Sequence, residues 1–165
     1  HGDDLILRRM KRRHLGRDII RFCNEARRRR PDVAFGADII AGFPTESWSA
    51  HRQTMAMIKD AGISYLHVFP YSPRPSTPAA NMPQLDGAVI KQRAGELREL
   101  GKAQLHQHLE AVIGTNDRML VESGNVGHGR NFAKIRLDQP FVPASTVVDV
   151  KIYRRDQDML LAHAI

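Results

Sequence analysis

Apolar residues recur along this chain with two different periods, and the first segments alternate between them. Helical spacing predicts a short helix capped by Asp3 or Asp4, then a second helix over about residues 17–30. The apolar run VAFGADIIAGF is nearly continuous rather than alternating, which is typical of a strand buried on both faces of a parallel sheet.

The same order repeats in the next segment. Thr45 or Ser47 can cap a helix that ends near Ala61, where Gly62 occupies the C-cap position. The segment SYLHVF predicts a second strand. Because helices and strands alternate at these lengths, the pattern indicates an α/β fold with parallel strands.

The pattern changes again after the second strand. Residues 86–114 keep helical spacing throughout and predict one long helix. From about residue 115 the apolar segments become short and β-branched, with Gly, Asn and Pro between them, which indicates a small antiparallel β-barrel. We therefore expect a βα repeat over residues 1–85, a connecting helix over 86–114 and a barrel over 115–165.

Positive charge is concentrated at the start of the chain. The net charge is +7, and residues 1–30 hold eleven Lys and Arg against four acidic residues, so this segment carries the whole excess. Such an excess suggests a polyanionic partner. The alternative is a solvated helical face whose RRRR run, before Pro31, places cations at a helix C-terminus.

Cysteine content and hydropathy limit the kinds of covalent cross-link, metal site and cellular location that are expected. Cys23 is the only cysteine, which excludes an internal disulfide and a site made only of cysteines, and which fits a reducing, cytoplasmic location. We expect Cys23 to be a buried structural thiol. No apolar stretch approaches the length of a membrane span. The chain begins at His1 in mid-pattern, which predicts a piece of a longer protein.

Two loops follow the predicted strands, where working residues of βα repeats collect. In DIIAGFPTE, Gly42 permits close approach to the backbone. The segment HVFPYSPRPSTPAANMP contains five of the nine prolines, which favour extended backbone around Arg74, a candidate anion ligand. The alternatives are a tight connection and a rigid surface loop. No residue pattern indicates a catalytic group or a metal site.

Four motifs resemble one family, in the order found there. GDDLILRRMKRRH (2–14), DIIAGFPTES (38–47), HVFPYSPRPSTPAANMP (67–83) and MLVESGNVGHGRNFAKIRL (119–137) look like radical-SAM methylthiotransferases. The proline-rich motif, 67–83, looks most like the branch that modifies threonylcarbamoyladenosine in tRNA. The resemblance implies the C-terminal part of a radical-SAM partial TIM barrel, followed by a TRAM-like RNA-binding β-barrel.

The resemblance also implies an activity and its cofactors. The parent enzyme would be a transferase that adds a methylthio group to C2 of N6-threonylcarbamoyladenosine in the anticodon stem-loop of tRNA. It would use S-adenosylmethionine and two 4Fe-4S clusters, whose cysteine ligands are absent from this chain, so we expect the chain to be inactive alone. The alternatives are an isopentenyladenosine tRNA methylthiotransferase and a non-catalytic RNA-binding module.

Site residues carry over by motif. The residues expected to bind the cofactor are Arg12, Asp38, Ile40, Gly42, Val68 and Phe69. The residues expected to face the substrate or bind RNA are Tyr71, Arg74, His128, Arg130, Lys134 and Arg136. The last four cluster on or beside one predicted hairpin, with ordinary exposed charges as the alternative. Arg74 favours tRNA, because the branch that modifies a ribosomal protein tends to have an acidic residue there.

One position departs from the family. The family usually has Gly where this chain has Ser76. If the backbone there requires a positive φ, a serine would strain the loop.

Overall fold

The computed structural model describes residues 1–165, which form two compact units, His1–Gln104 and Leu105–Ile165. The long helix predicted over 86–114 is present as α4, Gly87–Ala111. Its residues up to 104 belong to the first unit, and its last two turns belong to the second.

The first unit begins with two helices. Helix α1 spans Asp4–Arg9, and Asp3 is its cap because its carboxylate accepts the Ile6 N–H at 2.9 Å. Helix α2 spans Gly16–Arg29, close to the predicted bounds.

Two parallel strands and a helix complete the βα repeat. Strand β1 spans Gly36–Ala41, helix α3 spans Trp48–Ala61 and strand β2 spans Tyr65–Pro70. Ser47, rather than Thr45, caps α3, since its hydroxyl accepts the Ala50 N–H at 3.1 Å. The predicted C-cap is confirmed: Gly62 adopts the left-handed conformation, with φ of 57°.

The first core lies on one face of the two-stranded sheet. Ile39 and Ala41 of β1 pack there against apolar residues of α2, α3 and α4. The expectation that β1 is buried on both faces is wrong, because its burial alternates and Asp38 is exposed. Only one layer of helices covers this sheet, so the other face stays open. Cys23 is buried in this core, as expected, and burial raises the pKa of its thiol.

The second unit is a closed barrel of five strands in the order β3-β4-β5-β7-β6. The strands are β3 Asn116–Ser123, β4 Val126–Gly129, β5 Lys134–Leu137, β6 Val147–Asp156 and β7 Met159–Ala164. The expectation of an antiparallel barrel needs one correction, since β5 and β7 pair in parallel. A closed ring with an odd number of strands cannot alternate direction throughout, so one pair must be parallel.

The end of α4 contributes to the barrel core. Leu109 is fully buried, and Leu105, Val112 and Ile113 pack against the same cluster. The rest of this core includes inward residues of β3, β5, β6 and β7, among them Met119, Ile135, Val150, Ile152 and Leu160. No helix in the chain combines the length and the apolar character that crossing a bilayer requires.

Candidate functional site

The parallel strands end side by side, and the two candidate loops leave from this edge. Ala41 is in register with Pro70, and the Tyr71 N–H donates to the Ala41 carbonyl at 2.8 Å. The rings of Phe43 and Tyr71 meet edge to face, with centroids 5.5 Å apart. The first residue of the proline-rich loop is therefore fixed against the loop that follows β1.

The open face of the sheet carries three of the residues predicted to bind the cofactor. Asp38 is in register with His67, and Ile40 with Phe69, so alternate positions place all four on one face. The Phe69 side chain is 52% exposed there. Val68 is in register with Ile39 and packs against the core, so the structure does not place it with the others.

A cavity of about 260 Å³ brings Arg12, Asp38 and Ile40 together. Leu7 and Met10 of the α1 region add apolar walls, and no residue of β2 lines it. A guanidinium can pair with a carboxylate, and Asp38 can accept hydrogen bonds from an ammonium or hydroxyl group. These donors and acceptors fit part of S-adenosylmethionine, although the volume is below the roughly 300–1,000 Å³ of most ligand pockets.

Gly42 has a different neighbour from the one expected. Its φ is +74°, and an added Cβ would lie 2.7 Å from Ile90 Cγ1, so glycine is required for both backbone and packing. The Gly42 N–H is also engaged, donating to Glu46 Oε2 at 2.8 Å. The close approach observed is thus that of an α4 side chain, and a cofactor contact at Gly42 stays a prediction.

A buried polar network, which was not among the residues predicted from the sequence, fixes this loop. Glu46 is 2% exposed, and its Oε2 accepts a hydrogen bond from Arg93 NH1 at 2.8 Å. The same Arg93 nitrogen donates to the Glu46 carbonyl at 2.8 Å. His1 Nε2 lies 3.0 Å from Glu46 Oε1 and donates to it, since His1 Nδ1 accepts from the Asp3 N–H. A carboxylate with partners at both oxygens holds the loop to α4 and the chain start.

Two opposing effects act on the Glu46 carboxyl. Burial raises its pKa, but the hydrogen bonds from His1 and Arg93 and the charge of Arg93 outweigh burial, so its pKa lies below the usual value. The Arg93 guanidinium also lies over the Trp48 ring, 4.6 Å from the centroid. Glu46 and Arg93 therefore form a charged pair that is enclosed by protein.

His51 extends the network along α3. Its side chain is fully buried, and Nε2 lies 2.8 Å from Glu96 Oε2. Its Nδ1 makes no hydrogen bond and lies 3.8 Å from Glu46 Oε1. The sequence did contain a signal, because Arg93 falls between Ile90 and Leu97 on the apolar stripe of α4. A charged residue on an apolar stripe indicates a buried partner.

The proline-rich loop presents Arg74 but not Tyr71. Arg74 is exposed and makes no ion pair. Tyr71 is half-buried in a small apolar cluster with Phe43, and its hydroxyl is buried without a hydrogen-bond partner. The extended backbone that the prolines favour does not continue through the whole loop, because Pro78–Asn81 form a 3-10 helix. Ser76 has a φ of +65°, the condition under which a serine strains the loop.

The barrel places the four predicted RNA-binding residues in two groups. His128 and Lys134 are in register on β4 and β5, and Lys134 and Arg136 alternate outward along β5. Lys134 and Arg136 are exposed and form no ion pair. Arg130 pairs with Asp117 at 2.8 Å and lines an open depression of about 580 Å³ elsewhere on the barrel.

Local partners reduce the charge available at the hairpin. His128 Nδ1 lies 2.9 Å from Glu122 Oε1. Phe132, between β4 and β5, is 77% exposed with its ring 6.0 Å from that of His128. The surface defined by Lys134 and Arg136, with Phe132 near one end, is the part of this set that could meet a phosphate and a base.

Curated relatives match most of the chain. Threonylcarbamoyladenosine tRNA methylthiotransferase of Rickettsia prowazekii is 49% identical over 138 residues, which is 84% of the chain and 33% of that protein. The tRNA-2-methylthio-N(6)-dimethylallyladenosine synthase of Vibrio vulnificus is 39% identical over 122 residues, 73% of the chain and 26% of that protein. The synthase of the same name from Paracoccus denitrificans is 31% identical over 157 residues, 92% of the chain and 35% of that protein.

These similarities show that the chain belongs to the radical-SAM tRNA methylthiotransferase family. It spans about a quarter to a third of the length of the relatives it matches. No family model matches the chain.

Proposed function

We propose that the chain is part of an enzyme that adds a methylthio group to C2 of N6-threonylcarbamoyladenosine in the anticodon stem-loop of a cytoplasmic tRNA. The observation that carries this proposal is the 49% identity with a threonylcarbamoyladenosine tRNA methylthiotransferase. The dimethylallyladenosine synthases are 31–39% identical.

In this proposal residues 1–104 form the last part of a radical-SAM partial TIM barrel. Bound S-adenosylmethionine and 4Fe-4S clusters would supply the radical chemistry and the sulfur. Arg12 would pair with the cofactor carboxylate, and Asp38 and Ile40 would contact the cofactor from the open sheet face. Gly42 and Phe69 are further candidates, whereas Val68 faces the core. The lone thiol of Cys23 is buried, so the residues present do not fit a cluster, whose ligands would come from elsewhere in the parent protein.

A second candidate is the modification of isopentenyladenosine, because dimethylallyladenosine synthases are among the relatives. The full-length parent, expressed in a strain that lacks 2-methylthio nucleosides, distinguishes the two. We expect mass spectrometry of its tRNA to show the methylthio derivative of threonylcarbamoyladenosine. A derivative of isopentenyladenosine alone would contradict the proposed substrate.

Contact with tRNA is assigned to Arg74 in the first unit and to the TRAM-like barrel in the second. The barrel can be tested by measuring tRNA affinity against salt concentration. We expect the double change Lys134→Ala and Arg136→Ala to lower the salt slope by about 0.7–0.9 for each phosphate that the variant no longer neutralises. Arg130→Ala should lower the slope less, because Asp117 already neutralises that guanidinium.

The matched control for the barrel removes two exposed cations of β6, by Lys151→Ala and Arg154→Ala. The net charge of the two double variants is the same. If the control lowers the slope as much as the β5 variant does, the hairpin has no special role in binding RNA.

A further inference from the structure

The connection between α1 and α2 carries the densest positive charge in the chain. Residues 8–17 contain six Lys and Arg and no acidic residue. Two of the six have other contacts: Arg9 donates to Thr45, and Arg12 lines the cavity beside β1. The remaining four, which we call the basic corner, are Arg8, Lys11, Arg13 and Arg17.

The basic corner has no counter-charge. All four side chains belong to exposed residues, and none forms an ion pair. The nearest acidic side chains in sequence have other partners: both accept backbone N–H groups, and Asp18 also pairs with Arg21. Asp4 accepts the Gly16 N–H at 2.9 Å, and Asp18 accepts the Leu15 N–H at 2.9 Å.

The RRRR run is different, although it looks more basic in the sequence. Arg28 and Arg29 both pair with Glu25. Arg27 donates to the carbonyls of Ala61 and Gly62, where it caps α3, and lies over the Phe35 ring. Local structure therefore accounts for this run, as the alternative interpretation of the sequence proposed, but not for the corner.

Two residues of the basic corner occupy backbone positions that disfavour their residue types. Lys11 has a φ of +58°, and the Lys11 and Arg12 N–H groups bond back to the Arg8 and Leu7 carbonyls in a Schellman motif, whose left-handed position normally takes glycine. Arg17 adds a cation to the first turn of α2, at the positive end of the helix dipole. Neither choice improves the local structure.

We propose that the basic corner binds backbone phosphates of the substrate tRNA. Exposed, unpaired guanidinium and ammonium groups recognise phosphate without reading sequence, and binding releases counterions from the nucleic acid. This proposal rests on the proposed function for the identity of the RNA. It adds to the first unit a contact surface that does not include Arg74.

Two triple variants of the whole chain test the corner. One carries Arg8→Ala, Arg13→Ala and Arg17→Ala, and the control carries Arg21→Ala, Arg28→Ala and Arg29→Ala, which removes the same charge from ion-paired positions of α2. Affinity for an unmodified tRNA transcript is measured across KCl concentrations. We expect the corner triple to lower the slope by about 2–3 and the control to lower it by less than about 1.

Lys11→Gly separates binding from folding. It removes a corner cation but places glycine where the backbone favours it, so we expect a higher melting temperature together with a shallower salt slope. A variant that binds tRNA less well because it is misfolded would instead melt lower.

Equal slopes for the two triples, with tRNA still bound by the wild type, would overturn the corner and leave the proposed function standing. If the wild-type chain did not bind tRNA at all, the RNA contacts proposed for the basic corner and those proposed for Arg74 and the barrel would all be wrong. Vesicles containing anionic lipid are a second probe. If the corner triple lost binding to vesicles but not to tRNA, the corner would be a membrane contact and the proposal would be wrong.

Discussion

Individual residues with left-handed backbone mark the places where this chain departs from local preference. Thr45 follows β1 with a φ of +68°, and Ser76 lies in the proline-rich loop with a φ of +65°. A β-branched residue in this region is rarer than a serine. The Thr45 hydroxyl accepts a hydrogen bond from Arg9, which offsets part of the strain, whereas the Ser76 side chain makes no such contact.

Ser76→Gly should therefore stabilise the protein by about 0.5–1 kcal/mol, since glycine adopts this backbone without a clash between Cβ and the carbonyl. Chemical denaturation of the whole chain measures the change. Ser72→Gly is the control, because Ser72 is exposed in the same loop and does not have a positive φ. The control should lower stability slightly, and a stabilisation of equal size by both would contradict the strain argument.

At the scale of elements, the Glu46–Arg93 pair joins the loop after β1 to α4. Each charge is acceptable inside the protein because the other is present. Removing one partner leaves the other buried and unpaired, which in other proteins costs about 3–5 kcal/mol. The conformation of the loop between β1 and α3 therefore depends on this pair.

Glu46→Gln should destabilise the chain at neutral pH by about 3 kcal/mol, because it keeps the shape but leaves Arg93 without a counter-charge. The folded-state pKa of Glu46 is lowered, so its contribution is present above the usual value of 4.5 and is lost as the pH falls through the folded-state pKa. The stabilities of wild type and variant should converge at low pH. Urea unfolding across acid pH measures this, with Glu99→Gln on the exposed surface of α4 as control.

The apolar periods predicted the α-helices and both parallel strands, but they did not predict which side chains these elements bury. Helix ends at Asp3, Ser47 and Gly62 were predictable because capping is local chemistry. The open face of β1 was not, because an apolar run does not tell how many layers cover a sheet. The buried partners of Arg93 and His51 depend on contacts about 45 residues apart, and no local pattern identifies such partners.

At the scale of the whole molecule, the number of strands constrains the barrel more than the sequence pattern does. Five strands in a closed ring require a parallel pair, and the chain meets this requirement by returning β7 between β5 and β6. The candidate RNA-binding residues followed from motif resemblance and strand alternation. The sequence did not indicate which of these charges have ion-pair partners. The folded barrel shows this, because the pairing depends on which strands are adjacent.

The compact unit that contains the barrel strands begins at Leu105, within α4. Leu109 is fully buried with the barrel core, and the Gly114 N–H donates to the Ile152 carbonyl at 2.9 Å. A fragment of residues 103–165 should fold cooperatively, whereas residues 115–165 should not. Truncating one buried leucine costs about 2–5 kcal/mol, and a small domain has only about 5–15 kcal/mol of stability.

Circular dichroism during thermal melting distinguishes the two fragments. Leu109→Ala in the longer fragment should lower its melting temperature without abolishing the transition, because the other α4 residues still cover the core. The exposed change Gln107→Ala on the same turns is the control. If residues 115–165 melted cooperatively at the temperature of the longer fragment, the end of α4 would be dispensable to the barrel, and its apolar residues would need another explanation.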